Sequence, residues 1–196
     1  IKSEQATLND VENQKIIITG PKAENGNECL LDWNDLEFQK RALYGRIQSG
    51  KAYFANVQLL DEGENEVSAV TYQQKVIIRM RIEILEDMPS LGFAYSIRDR
   101  NGVDVVYSDS VIENSGLLLV KMRERYEVDW SFDVSLREGI YYVACIVSSC
   151  ATSETGKVEF CDYIPTALYF AIEPKRGVQL YGLTHWDNFL KIKKYD

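Results

Sequence analysis

The chain predicts an all-β fold, an antiparallel β-sandwich preceded by a short N-terminal extension with one small helix. Three observations carry this. From residue 51 onward apolar and polar residues alternate with period two, as in strands with one buried face. Asn101-Gly102 stands between two alternating runs, the strongest short-range hairpin signal. No helical pattern of useful length separates the strand candidates, which argues against a parallel sheet with crossover helices. Twelve Tyr and seven Phe against four Pro agree, since aromatic rings suit a pleated, half-buried surface.

The elements follow in chain order. Residues 1–15 are polar and aperiodic, as in a linker. "QKIIIT" reads as a short strand ended by Gly20-Pro21, and "PKAENGNE" as a loop. "DWNDLEFQKRALYG" reads as a short helix, with Asp32 or Asn34 as its cap, Lys40 and Arg41 in its last turn and Gly45 ending it. Residues 1–43 thus form the extension and 44–196 the sandwich. In "KAYFANVQLLDEGEN" the alternation puts Tyr53, Ala55, Val57 and Leu59 on one side. "KVIIRMRIEI" turns Val76, Ile78, Met80, Ile82 and Ile84 inward, with Ile77, Arg79, Arg81 and Glu83 outward. Phe93, Tyr95 and Ile97 lead into the Asn101-Gly102 turn, and Val103, Val105 and Tyr107 lead out. "RYEVDWSFDV" sets Tyr126, Val128, Trp130, Phe132 and Val134 against Glu127, Asp129, Ser131 and Asp133. "GIYYVACIVSS" gives a strand over 140–149, "TALYFAIE" one with Leu168, Phe170 and Ile172 inward, and "GVQLYGL" a last strand. That makes about eight strands, with turns spaced as in a sandwich.

The chain of 196 residues has room for one substantial domain and an appendage. It begins at Ile1 and reads as an excised piece of a longer protein. Its net charge of −8 argues against a nucleic-acid partner, because binding phosphates needs a basic surface. No stretch approaches the roughly 20 apolar residues of a membrane span, and no secretory signal is present. Of the cysteines, Cys145 falls within an apolar strand, and Cys150 and Cys161 flank a loop. A disulfide between those two is one reading; reduced thiols in a cytoplasmic protein, together with Cys29, is the expectation.

The outward residues sort the strands into two kinds. Arg79 and Arg81 on one strand, with Glu127, Asp129 and Asp133 on another, suit cross-strand ion pairs on a solvated sheet. The strands at 93–98, 140–149 and 167–173 carry little charge outside. Their outward residues are Ala94, Ser96 and Arg98; Tyr142, Ala144, Ile146 and Ser148; and Ala167, Tyr169, Ala171 and Glu173. Such a face marks something that docks there: a sugar, whose C–H faces stack on tyrosine rings, a second subunit, or the chain's own N-terminal extension.

Enzyme signatures are missing: no Gly-rich phosphate loop, no G-x-S-x-G elbow and no Cys/His metal cluster. The single histidine, His185, reads as a surface or interface residue. Carboxylates fall in turns or on alternating outer faces, without an obvious glycosidase pair.

The runs "YGRIQSGKAYFANVQLLDEGEN", "VTYQQKVIIRMRIEI", "FAYSIRDRNGVDVVYSDS", "SLREGIYYVACIVSS" and "YFAIEPKRGVQLYG", in that order, resemble the Wzt C-terminal domain family. These are the carbohydrate-binding domains of the ATP-binding subunit of O-antigen polysaccharide ABC transporters. The hairpin matches at Gly92, Phe93, Ile97, Asp99 and Gly102, and the "L-x-x-G-x-Y" corner at Leu136, Gly139 and Tyr141. Arg46-Ile47-Gln48-Ser49 departs from the glycine pair of the family's pattern. The resemblance spans about 44–184. It implies an immunoglobulin-like sandwich without catalysis or cofactor that binds the non-reducing end of a lipid-linked polysaccharide at the cytoplasmic side of the inner membrane, for export through a membrane channel subunit. It also implies a homodimer that can exchange a C-terminal strand, here "GVQLYGLTHW". Alternation, with no family motif behind it, assigns Tyr142 and Tyr169 to stacking and Ser96, Arg98 and Ser148 to hydroxyl or carboxylate recognition. Arg98 would then matter most for an acidic terminal sugar.

Overall fold

The computed structural model describes residues 33–149 and 158–195, except Val178 and Asp187. The expected "QKIIIT" strand, Cys29 and Cys150 lie outside the described residues. Cys145 and Cys161 are buried free thiols, and burial pushes both above the ordinary thiol range.

One helix, α1 (Leu36–Ala42), precedes strands β1 (Ile47–Gln48), β2 (Ala52–Leu60), β3 (Ala69–Thr71), β4 (Lys75–Ile84), β5 (Met88–Arg98), β6 (Asp104–Asp109), β7 (Leu117–Val120), β8 (Arg125–Asp133), β9 (Gly139–Ser149) and β10 (Glu159–Glu173). The larger sheet runs β1-β10-β9-β5-β6, with β3 also on β10 and β7 also on β5; the smaller runs β2-β4-β8. Pairing is antiparallel except between β3 and β10. The immunoglobulin-like sandwich is therefore the observed fold, with three short pairings (β1, β3, β7) that alternation does not reveal.

The helix cap is Asp35 and not Asp32 or Asn34. Its Oδ1 accepts from the backbone N–H of Glu37 at 2.8 Å and of Phe38 at 3.1 Å, a reach that only the residue just before the helix has. Lys40 and Arg41 occupy the last turn as expected. One turn apart, Phe38 and Ala42 enter the core. The chain then reverses at Gly45 (φ +68°), where an added Cβ would lie 3.0 Å from the Pro165 ring. A side chain would be strained there on both counts.

Next comes Arg46, the residue that departs from the family's glycine pair. Its Nε and Nη2 donate to the Asp162 carboxylate at 2.9 and 2.6 Å, and Nη1 donates to Gln39 Oε1 at 2.7 Å. Asp162 also accepts from the Phe54 N–H at 2.8 Å. The Arg46 and Asp162 side chains are 4% and 0% exposed. This forked pair ties α1, β2 and β10 together.

The core lies between the sheets. Trp130 of β8 meets Phe93 and Tyr95 of β5 edge-on, with centroids 5.9 and 5.0 Å apart, and Tyr95 stacks on Phe132 at 5.9 Å. Val76, Ile78, Met80, Ile82 and Ile84 are all buried, as alternation predicts. The corner at Leu136, Gly139 and Tyr141 closes with the Tyr141 hydroxyl donating to the Arg137 carbonyl at 3.1 Å, a tyrosine-corner arrangement.

One inward assignment is overturned by a bulge. In β2 the pairing with β4 slips between Phe54 and Asn56. Ala52 and Phe54 therefore join the core, and Tyr53 faces out, its hydroxyl 3.2 Å from Glu83. A one-residue slip moves every following side chain to the other face. Among its described residues the expected last strand at "GVQLYGL" does not form one. Its hydrogen bonds go to the loop before β9, with Arg137 N–H donating to the Leu183 carbonyl at 3.0 Å and His185 N–H to the Ser135 carbonyl at 3.0 Å. Among the described residues, beyond an isolated Leu136–Thr184 bridge, there is no ladder to hold it extended. His185 Nδ1 sits 2.7 Å from the Tyr72 hydroxyl, a structural contact for the lone histidine.

Candidate functional site

The outer face of β10, β9, β5 and β6 can be laid out row by row from the register. Tyr169 pairs with Tyr142, Tyr142 with Arg98, and Arg98 with Asp104. One row thus crosses four strands and holds three of the residues singled out from sequence. The next row holds Ala144, Ser96 and Tyr107, and the third Tyr163, Ile146, Ala94 and Asp109. A fourth carries Phe160, Ser148 and Gly92.

In the first row the two tyrosine rings lie 6.4 Å apart and tilted by 46°, so they form two angled planes. Tyr169 is 62% exposed and Tyr142 half-buried. Arg98 Nε donates to Asp104 Oδ1 at 2.7 Å, and its Nη1 donates to the Tyr163 hydroxyl at 3.3 Å. Because Tyr163 belongs to β10 and Arg98 to β5, the guanidinium spans the intervening strand. It passes over Ala144, which is only 2% exposed although it faces outward. A larger residue at 144 would stand in its way; the small side chain here makes room for Arg98 rather than leaving a bare trough. The bonds to Asp104 and then Tyr163 raise the Arg98 pKa. The same Arg98 bond, aided by the Ser96 hydroxyl, holds the Asp104 carboxyl below the ordinary carboxylate range.

Of the remaining residues singled out from sequence, Ser96 is nearly buried and turned toward Asp104. Ser148 stands six residues beyond Tyr142 on β9, roughly 20 Å away at strand spacing, and is not part of the Arg98 cluster. Ala167 leaves the face altogether. The β9–β10 register breaks between Ile164 and Leu168, and Ala167 packs in the core. The bulge explains this, since strict alternation from Tyr169 backward fails at the extra residue.

Tyr163, Tyr107 and Asp104 were missed. Tyr163 lies between two register shifts of β10, with Cys161 and Asp162 buried side by side before it, so alternation along "FCDYI" gives no sign of its direction. Tyr107 sits opposite Ser96, on the outer face of a hairpin whose alternation is broken at Arg98.

A separate concavity of about 710 Å³ lies over the smaller sheet, lined by residues such as Asp35, Gln58, Glu64, Arg79 and Arg81. Its arginines are already matched, Arg79 to Asp129 at 2.8 Å and Arg81 to Glu127 at 3.1 Å. It lacks the exposed tyrosine planes of the larger sheet, and we place the candidate site on the latter.

The architecture is an immunoglobulin-like β-sandwich with one short helix at its start and a tyrosine-bearing face on its larger sheet. The chain belongs to the Wzt C-terminal domain family, whose profile matches residues 44–186. The fold is similar to the crystal structure of the C-terminal domain of Wzt, with TM-score 0.67 at 14% identity over 76% of this chain and 87% of that one. A CARDB domain with bound di-metal ions from Pyrococcus furiosus gives TM-score 0.36 at 12% identity over 66% of this chain and 100% of that one. The PmoD soluble domain from Methylocystis gives 0.30 at 13% identity over 65% and 94%. Likenesses as loose as these two say nothing about this chain. No curated protein matches it. Among the described residues, no helix is long and apolar enough to cross a membrane, and no cluster could hold a metal ion.

Proposed function

We propose that this domain is a non-catalytic glycan-recognition module. It binds the non-reducing end of a lipid-linked O-antigen polysaccharide and couples it to an ABC transporter for export, at the cytoplasmic side of the inner membrane and through a channel subunit held by the parent protein. The observation that carries this is the row Tyr169–Tyr142–Arg98–Asp104, in a chain of the Wzt C-terminal domain family. Tyrosine rings offer planes to sugar C–H faces, and their hydroxyls, with Asp104, offer hydrogen bonds to sugar hydroxyls.

The test is titration of the source polysaccharide into Tyr142→Ala and Tyr169→Ala variants. Loss of one stacked ring is expected to weaken binding by about 1–2 kcal/mol. Unchanged affinity in both, with folding intact, moves the site elsewhere.

A homodimer is part of the same proposal, and one observation favours it. Trp186, Phe189, Leu190, Ile192 and Tyr195 near the C-terminus are 77–93% exposed. Apolar side chains so placed suit exchange with a second copy, which would leave the tyrosine face open to glycan.

A further inference from the structure

Resting on that reading, we infer that the site selects neutral or amine-bearing sugars against acidic ones, with Asp104 as the specificity-determining residue. On the sequence alone Arg98 reads as a reader of carboxylates. The structure gives it another role. Among the described residues on the four rows Arg98 is the lone cation, and it is held by Asp104 at 2.7 Å and by the Tyr163 hydroxyl at 3.3 Å. Its side chain is 26% exposed.

The charge balance of the face then falls on the negative side. Arg98 and Asp104 cancel. Two rows away Asp109 accepts from the Tyr107 hydroxyl at 2.9 Å and from the N–H groups of Val111 and Ile112 at 2.8 Å each. All three donors are neutral, so its charge is left uncompensated. A uronic acid laid on the tyrosines would meet this surplus negative charge, or would have to displace Asp104 from Arg98 to find a cation. A neutral sugar meets no such barrier. The Asp104 side chain is 53% exposed, and its carboxylate can accept from sugar hydroxyls as well as from Arg98. Carboxylates that accept from hydroxyls bind more strongly than neutral acceptors, and the same group repels an anion.

The experiment is a glycan array of matched oligosaccharides, each pair equal in length and linkage and differing only in a neutral hexose or a uronic acid at the non-reducing end. It is read with the intact domain and with Asp104→Asn at low ionic strength. The native domain is expected to favour the neutral member of any bound pair by about tenfold or more. Asp104→Asn frees Arg98 and is expected to shift that ratio toward the acidic member by about tenfold. Equal or stronger binding of acidic members by the native domain overturns the inference while leaving glycan recognition standing. The native ratio needs no variant, so a poorly folded Asp104→Asn does not rescue the idea. Binding to no member of a broad panel overturns the inference and the glycan reading together.

Discussion

The two outer faces of this sandwich are built on the same period and end up with different surfaces. On the smaller sheet, each outward arginine of β4 meets an acid of β8 directly across the ladder, Arg79 with Asp129 and Arg81 with Glu127. Glu64 adds a third carboxylate to Arg79 at 3.2 Å. That surface is saturated with its own counter-charges and presents little a ligand could use. Among the described residues on the four rows of the larger sheet's outer face, the Arg98–Asp104 pair stands among four tyrosines and small side chains. There the outward positions offer planes and hydroxyls. Alternation says only that a residue points outward; what marks a docking face is whether neighbouring outward residues already satisfy one another.

Substitutions can break that contrast. The largest effect belongs to neither face but to the pair between them. Asp162→Asn leaves the Arg46 guanidinium buried without its counter-charge, at an expected cost of about 3–5 kcal/mol. Urea unfolding measures it, and a loss below about 1 kcal/mol would show that the pair does not hold α1, β2 and β10 together. Arg79→Ala then probes the smaller sheet alone. It should lower stability by about 1 kcal/mol and leave glycan titration unmoved, the mirror image of Tyr169→Ala. If Arg79→Ala weakened glycan binding and Tyr169→Ala did not, the two faces would have to trade roles.

Acid gives the smallest and most diffuse effect. Asp104 is held low by Arg98, Asp99 by the Val103 N–H, Asp87 by the Met122 N–H and Asp61 by Asn65. For carboxyls whose folded pKa is depressed, the unfolded chain takes up protons first. Their contribution is therefore complete above the ordinary carboxylate value of about 4 and is lost as pH falls through the lower folded values. The thermal midpoint should be flat from neutral pH to about 5 and decline below about 4. A midpoint that rose on acidification through that range would contradict these assignments.

Much of the fold was legible because its strands are regular. β4 and β8 alternate without interruption, and every inward residue assigned to them lies in the core or packs against it. The errors cluster where the ladder is irregular. Tyr53 and Ala167 were misplaced at bulges in β2 and β10, since an inserted residue leaves no mark on composition while it inverts everything beyond it. The 177–183 segment has strand-like composition but a loop for a partner, and a strand needs a ladder. Tyr142, Tyr169 and Arg98 were legible as outward residues because the ladders of β9 with β10 and β5 are even where they pair. Tyr163 was not, because it lies across the bulge from them.

Local patterning was therefore enough to establish the all-β class, the paired charges of one sheet and a tyrosine-bearing face on the other, because side-chain direction in a strand depends on neighbours in the chain. Which outward residues touch is a matter of register between strands far apart in sequence. Arg98 and Asp104 meet across a hairpin, but Arg98 and Tyr163 are 65 residues apart and meet over Ala144. The Asp104 carboxylate makes Arg98 half of a neutral pair, and the Tyr163 hydroxyl fixes where its guanidinium lies. No run of residues in the chain encodes the Tyr163 contact, since it depends on which strands the fold sets on either side of β9.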